Sequence, residues 1–310
     1  MPYYLEHYSI AIRKRKDKLL FEGNKDEFHE VKFPFSERYW AADPFIIEND
    51  NKVYLFYELY DNIEQKGVIA YSTLNGYVAS SPHIILDKPY HLSYPNIFRY
   101  DESFFMMPET AGNNCIEIYK AKKFPDEWYL EKVLVNNISA CDSVFICKDN
   151  KIYLMTSEMD NTISDYPWCF VRNKLFLMDD KCNFIEFNPN LKIGDYGVRN
   201  GGAILRFNNI IRVGQDCTNN QYGKGLVFWK LSDDLNDFEQ ICYISSEDAE
   251  SMVNWIDKEH LKLKGTHTYN ISENFEVIDT SEDRRYCILL KYIHKVLRKL
   301  IRLKRFYEKK

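Results

Sequence analysis

Pairs of short apolar stretches, each pair joined by a polar turn, recur along the chain. In the first pair, a strand that opens on Asp43-Pro44 leads through an Asp-Asn turn into an aromatic strand that ends on Glu58. The five such units span residues 40–58, 94–109, 141–155, 201–216 and 267–279, and the last two are the weakest copies. Hairpins that repeat at roughly 40 to 60 residues are typical of a β-propeller. The pattern therefore predicts an all-β fold with five blades.

The first strand of each propeller blade lines the central channel, so the residues that open these strands should meet at one mouth of it. The residues expected there are Asp43, Tyr94, Asp142, Arg199 and His267. An apolar run within residues 3–13 is expected to supply a strand that closes the ring against the last blade. Unrelated hairpins in a β-sandwich are the alternative, because Asp-Asn and Asn-Asn turns suit any hairpin.

The composition indicates one large domain, predicted as residues 1–283. The chain has 310 residues, of which 45% are apolar and 15% aromatic, enough to bury a sizeable core. Eight cysteines form no close pair, and no apolar signal segment opens the sequence. These features favour reduced thiols in a cytoplasmic protein. No run of about eighteen apolar residues is present to span a membrane.

The last 27 residues, 284–310, differ from the rest in charge and periodicity. They carry eleven Lys or Arg against one Glu, or +10, which leaves −15 on residues 1–283 of a chain whose net charge is −5. Apolar residues recur at helical spacing at Leu289, Ile293, Val296, Leu300 and Leu303. This pattern predicts a basic amphipathic α-helix that lies on an anionic membrane surface or, alternatively, docks on the acidic propeller. Nucleic acid is not expected as a partner, because the acidic body would repel phosphates.

Three carboxylates at the predicted mouth suit acid/base chemistry on a glycosidic bond. Such chemistry needs one carboxyl group that stays protonated and another that is ionised. Asp43 suits a base or nucleophile, Glu109 a proton donor, and Asp142 a neighbour that shifts pKa values or binds hydroxyl groups. The structural alternative is that each caps nearby backbone amides.

Six further residues are predicted to bind substrate. Arg199 suits a carboxylate or a phosphate, because its guanidinium donates two parallel hydrogen bonds. The full set is His91, Tyr94, Arg199, Gln215, Asp216 and His267. No metal site is expected, since the histidines are dispersed and lack ligand spacing. No cofactor is expected either.

Several short motifs together resemble known propellers over residues 38–280. Residues 40–45 are similar to the first-blade motif of the arabinanase/β-xylosidase family of five-bladed glycosidases and, more distantly, of the invertase and levansucrase clan. A closer resemblance is to the propeller domain of plant glucosamine inositolphosphorylceramide transferases and of some bacterial formyltransferase-like proteins. The motifs are Ala42-Asp43-Pro44-Phe45, His91-Leu92-Ser93-Tyr94-Pro95, Pro108-Glu109, Phe124-Pro125-x-x-Trp128, Arg199-x-Gly201-Gly202, Gln215-Asp216 and Tyr222-Gly223.

The glycosidase resemblance implies that Asp43 is the base or nucleophile and that Asp142 is the third-blade aspartate. Those enzymes take their proton donor, a glutamate, from a later blade, where this sequence offers only Glu186, a poor match. Either Glu109 replaces it or hydrolase chemistry of that kind is absent.

These observations predict a cytoplasmic propeller enzyme, a glycosyltransferase or a glycoside hydrolase-like protein. It would transfer or cleave a glycosyl group during assembly of a cell-surface polysaccharide or glycolipid, acting on a glycan or nucleotide sugar, with its tail at the inner membrane face. The alternative is a non-catalytic propeller that recognises a glycan for a partner glycosyltransferase. A secreted hydrolase is disfavoured by the cysteines and the missing signal segment.

Overall fold

Five sheets surround a central channel in the computed structural model of the protein. The structure describes residues 3–236, 238–256, 263–286 and 288–308, without the side chains of 3, 285, 286 and 302–308. The first strands of neighbouring blades contact one another, so they lie innermost. Later strands of blades 1 to 4 pair outward in chain order. This arrangement confirms the predicted five-bladed propeller and excludes the sandwich.

The first three blades are antiparallel sheets of four or five strands. Blade 1 contains Tyr39–Asn49, Lys52–Asp61, Lys66–Asn75, Val78–Ala79 and His83–Leu86. Blade 2 contains Ser93–Tyr100, Ser103–Glu109, Cys115–Lys123 and Glu127–Asn136. Blade 3 contains Ala140–Lys148, Lys151–Glu158, Val171–Met178 and Phe184–Gly194.

Blade 4 contains Tyr196–Asn200, Leu205–Arg206, Ile210–Asp216, Gly225–Leu231 and Phe238–Ser245. Blade 5 joins the two ends of the chain. Its C-terminal strands are Val253–Asn254, Leu263–Gly265, Tyr269–Ile271 and Phe275–Tyr286, and its N-terminal strands are Tyr3–Lys14 and Phe28–Glu30. Tyr3–Lys14 pairs antiparallel with Phe275–Tyr286 along its whole length, from Tyr3 opposite Tyr286 to Lys14 opposite Phe275. The predicted closure of the ring by the N-terminal run is therefore confirmed.

Two α-helices and three short 3₁₀ turns complete the described fold. The first helix, Ser246–Met252, is capped by Ser245, whose hydroxyl accepts the Asp248 N–H. The 3₁₀ turns are Leu20–Glu22, Ala111–Asn113 and Thr218–Asn220.

The C-terminal helix, Ile288–Glu308, confirms the predicted helical tail. It begins after a strand that runs to Tyr286, so the predicted domain boundary at 283/284 falls inside that strand and stays a prediction. Among the described residues, no helix combines the length and the apolar character needed to cross a bilayer.

Candidate active site

The inner strands of blades 1 to 3 carry a bulge at equivalent points. The pairing register shifts between Ala42 and Phe45 and at the matching positions of the next two blades. Each bulge holds one non-glycine residue with a left-handed backbone, namely Asp43 (φ 51°), Tyr94 (φ 46°) and Asp142 (φ 50°). That conformation costs about 1–2 kcal/mol per residue. Bulges of this kind often re-aim side chains at functional sites.

Asp43 contacts residues of blade 2 and blade 5. Its carboxylate accepts hydrogen bonds from the Tyr94 N–H at 3.0 Å and from the Thr268 hydroxyl at 2.8 Å. His267 Nε2 lies 3.4 Å from Asp43 Oδ1, while His267 Nδ1 lies 2.7 Å from Asp279 Oδ2. Asp279 also accepts the backbone N–H groups of Asp43, His267 and Thr268 at 2.9–3.0 Å. His267 is thus fixed between two carboxylates.

Arg199 gathers the other predicted carboxylates. Its Nε donates to Asp142 Oδ2 at 2.5 Å and its terminal NH₂ to Glu109 Oε2 at 3.1 Å. Asp142 Oδ2 also accepts from the Gln215 amide at 3.2 Å. The guanidinium stands over the Tyr222 ring at 4.9 Å. Arg199 is 6% exposed, so these contacts are made largely out of water.

Burial and charge shift the proton affinities of this cluster in different directions. Burial raises the pKa of Asp43 to about 6, although His267 opposes the shift. Burial also raises the pKa of Glu109 to about 8, against the effect of Arg199. For His267, burial alone would lower the pKa, but Asp279 and Asp43 outweigh it and raise the pKa to about 9. At neutral pH the mouth therefore holds an ionised Asp43 and a largely protonated Glu109.

A fifth carboxylate, Glu58, lies in the same cluster and is not among the predicted site residues. Burial raises the pKa of Glu58 well above its usual range, and Asp43 is the strongest of the nearby acids that add to the shift. Glu58 Oε1 is buried without a hydrogen bond and lies 3.5 Å from His91 Nε2. His91 Nδ1 accepts the Gly67 N–H at 3.0 Å.

The other predicted residues divide into those that join the cluster and those that do not. His91, Gln215 and His267 contact the carboxylates described above. Tyr94 is fully buried, and its hydroxyl donates to Gly202 O at 2.7 Å, so it links two blades. Asp216 lies apart, and its carboxylate accepts from the Tyr243 hydroxyl at 2.8 Å. The roles assigned to these residues stay predictions.

The irregular segment between the second and third strands of blade 3 reaches the mouth. The Trp168 carbonyl accepts from Arg199 at 3.2 Å, while its side chain is 47% exposed. Tyr166 packs edge-on against Trp168, with the ring centroids 5.8 Å apart. These exposed rings give the rim of the mouth an aromatic surface.

Two groups of side chains have metal-ligand atoms within 4.8 Å of one another in the described part of the chain. They are Asp43, His267 and Asp279, and Glu109, Cys141 and Asp142. In the first group a metal would have to displace a proton from His267, whose two carboxylate partners raise its pKa to about 9. In the second group a metal would compete with Arg199 for Asp142 and Glu109. The expectation of no metal stays a prediction.

The N-terminal family profile of glucosamine inositolphosphorylceramide transferase 1 matches residues 29–267, most of the chain. The chain belongs to this family. Glucosamine inositolphosphorylceramide transferase 1 of Oryza sativa subsp. indica is 30% identical over 209 residues, and that of Arabidopsis thaliana is 32% identical over 201. Each alignment covers 62% of this chain but only 26% and 25% of the relative. The chain thus spans about a quarter of the curated relatives it matches.

Solved structures show how widely this family's fold is shared. A family 117 glycoside hydrolase of the marine bacterium Zobellia galactanivorans superposes with a TM-score of 0.54 over 88% of this chain and 90% of its own, at 13% identity. The GH62 α-L-arabinofuranosidase domain of Coprinopsis cinerea gives 0.55 over 81% and 94%, at 9% identity. At such identities the likeness establishes the propeller fold alone.

Glu58 and Asp279 are the cluster members that the sequence analysis missed. The repeat contained a signal for Glu58, because Glu58 opposite Ala42 and Glu109 opposite Ser93 occupy the same position in successive blades. Asp279 follows the apolar pair Val277-Ile278 in a strand of the weakest repeat. Only the folded ring shows that its carboxylate supports His267.

Proposed function

We propose that this protein is a carbohydrate-active propeller enzyme that transfers or cleaves a glycosyl group in assembly of a cell-surface polysaccharide or glycolipid. The observation that carries the proposal is the buried cluster at the mouth, where Asp43 accepts hydrogen bonds from Tyr94 and Thr268 while Arg199 binds both Asp142 and Glu109. The plant relatives are named glucosamine inositolphosphorylceramide transferase 1, and this name supports transfer of a glycosyl group to a lipid-linked acceptor.

The arrangement of the carboxylates supports this chemistry. Asp43 accepts hydrogen bonds from Tyr94 and Thr268, which orient it while leaving it able to take the proton of an acceptor hydroxyl or to attack an anomeric carbon. Arg199 fixes Asp142 and remains close enough to the mouth to bind a phosphate of a donor or acceptor. The aromatic rim at Tyr166 and Trp168 suits the apolar face of a sugar ring.

The experiment is a calorimetric titration with a panel of nucleotide sugars and of furanosyl and pyranosyl oligosaccharides, run on wild type and Asp43→Asn together with product analysis. We expect a donor to bind both proteins and only wild type to form product, with turnover lowered at least about 10²-fold in Asp43→Asn. Glycan binding without product from either protein would overturn the enzyme assignment and favour the glycan-recognition propeller.

The same proposal places the protein at the inner face of a membrane, with its C-terminal helix on an anionic lipid surface. The apolar stripe of the helix faces away from the propeller: Leu289 is 61% exposed, Ile293 44%, Val296 58% and Leu300 56%. The side that meets the propeller carries His294, which is buried, and Arg298, which donates to Ile63 O at 2.7 Å. These polar contacts are also those expected of a helix docked on the acidic propeller by its own charge. They leave the apolar stripe exposed, and basic side chains beside the stripe complement anionic lipid.

Vesicle sedimentation tests this placement. Wild type should bind vesicles that contain phosphatidylglycerol, release them as salt is raised, and bind pure phosphatidylcholine vesicles weakly. The double variant Ile293→Ser/Val296→Ser should lose most of this binding while the propeller stays folded. Equal binding by the variant, or a salt-independent dimer that buries the stripe, would contradict the proposal.

A further inference from the structure

Glu58 and Glu109 occupy the same position in the propeller repeat but have different partners. Each lies in the second strand of its blade, opposite the residue that precedes the left-handed one. Glu109 Oε2 is bound to the guanidinium of Arg199 at 3.1 Å. In the described part of the chain, Glu58 has no pairing with a lysine or arginine, and its nearest basic group is His91.

The hydrogen bond at His91 assigns its proton. Because the Gly67 N–H donates to Nδ1, the neutral imidazole carries its hydrogen on Nε2, which faces Glu58 Oε1 at 3.5 Å. Partial burial, with Arg199 and Lys66 nearby, lowers the pKa of His91, whose side chain is 42% exposed, so this ring is neutral at pH 7. It therefore offers Glu58 Oε1 only a weak neutral donor and leaves any carboxyl proton of Glu58 on Oε2.

The surroundings of Glu58 disfavour its ionised form. The Glu58 carboxyl group packs directly over Gly67. A Cβ atom on residue 67 would lie 2.3 Å from Glu58 Oε1, so the carboxyl group is enclosed on that side. Five carboxylates share this region with two cations, Arg199 and His267, which already contact other acids. The titratable groups that act on Glu58 or respond to it are Asp43, Glu109, Asp142, Asp279, His91, Tyr8 and Tyr60.

From this geometry we propose that Glu58, rather than Glu109, is the proton donor of the mouth. The inference rests on the proposed function. In the step, the bond between the anomeric carbon and the leaving oxygen breaks and its electron pair goes to that oxygen, which takes the Glu58 proton. The acceptor oxygen bonds to the anomeric carbon and its proton passes to Asp43. Asp43 then releases this proton to solvent, and the Glu58 carboxylate regains one from solvent. Arg199 then balances the charge of Asp142, and Glu109 is a second hydrogen-bond partner of the same guanidinium.

The first measurement needs no substrate. Infrared difference spectra of wild type minus Glu58→Gln at pH 8 should contain the carbonyl band of a neutral carboxylic acid. The matched variant Glu109→Gln should leave the Glu58 band in place. If Glu58→Gln removes no such band, the proposal is overturned, whatever the activity of the protein.

The second measurement compares leaving groups with 4-nitrophenyl and methyl glycosides of the same sugars. A poor leaving group needs the proton, so Glu58→Gln should slow the methyl glycosides about 10²–10⁴-fold and the 4-nitrophenyl glycosides less than about 10-fold. Glu109→Gln should slow both classes alike. If Glu109→Gln shows the leaving-group dependence instead, Glu109 is the donor and the proposal is wrong. If wild type turns over neither these probes nor the nucleotide sugars, the proposed function fails, and the infrared band then reports only a neutral buried acid.

Discussion

The chain buries two ionic clusters that are built in opposite ways. In blade 5, Arg13 binds Glu276 through two hydrogen bonds of 2.9 and 3.0 Å. The Glu276 carboxylate also accepts from the Tyr269 hydroxyl at 2.7 Å and from the Leu20 N–H at 2.9 Å. One cation meets one carboxylate, and both carboxylate oxygens are satisfied.

At the channel mouth, carboxylates outnumber cations. Five carboxylates surround Arg199 and His267, Glu58 Oε1 lacks a hydrogen bond, and Asp43 and Asp142 have left-handed backbones. Each of these features costs stability, and proteins retain such costs mainly at functional sites. Blade 5 thus contains a cluster in which every carboxylate oxygen is satisfied, whereas the mouth holds more carboxylates than cations.

Removal of Arg13 should have the largest effect on stability. Arg13→Ala leaves Glu276 buried without its cation, which typically costs about 3–5 kcal/mol. Urea unfolding at pH 7 measures the loss. Lys16→Ala is the control, because Lys16 and Asp26 form an exposed pair whose loss should cost far less than that of the buried pair. Similar small losses in both variants would show that Arg13 is not needed to close the ring.

His267 should make stability depend on pH above neutrality. The folded-state pKa of His267, about 9, exceeds the usual 6.5. The stability that protonated His267 adds to the folded state is therefore complete below pH 6.5 and is lost as the pH rises through 9. Relative to His267→Gln, wild type should lose roughly 3 kcal/mol across that interval.

His7→Gln is the matched control for this measurement. Burial lowers the pKa of His7 to about 3, so His7 is neutral in both states above pH 6.5 and should not change the slope there. If the stability difference between wild type and His267→Gln does not change between pH 6.5 and 9, His267 does not carry the charge proposed for it.

The two clusters also show which parts of the fold and the site could be predicted from the sequence. Repeated hairpins encode the ring, and the residues that open the inner strands, such as Asp43 and Asp142, could be found by aligning the repeats. Contacts between distant segments could not be found in this way. Asp279 reaches Asp43 across 236 positions of sequence, and Arg13 reaches Glu276 across 263. Glu58 was overlooked for another reason: the end of an apolar strand gives no information about whether a cation faces it.

Two buried glutamates, Glu58 and Glu117, have pKa values shifted in opposite directions. The folded-state pKa of Glu58 is raised, so its ionisable carboxyl favours folding below the unfolded-state pKa near 4.5 and opposes it progressively above. Glu58→Gln should therefore gain stability relative to wild type as the pH rises above about 4.5. Glu117 is the counterpart: Tyr90 and Asn113 donate to it at 3.1 and 2.7 Å, Tyr119 also donates, and these hydrogen bonds outweigh burial and lower its pKa.

Glu117→Gln should consequently lose stability at pH 7, and the difference from wild type should shrink as the pH falls through the folded-state pKa of Glu117. Opposite signs for the two Glu→Gln variants, measured by urea unfolding between pH 4 and 8, are the expected result. If both variants lose stability at pH 8, Glu58 is a satisfied carboxylate like Glu117, and the mouth would then resemble the cluster in blade 5 rather than contrast with it.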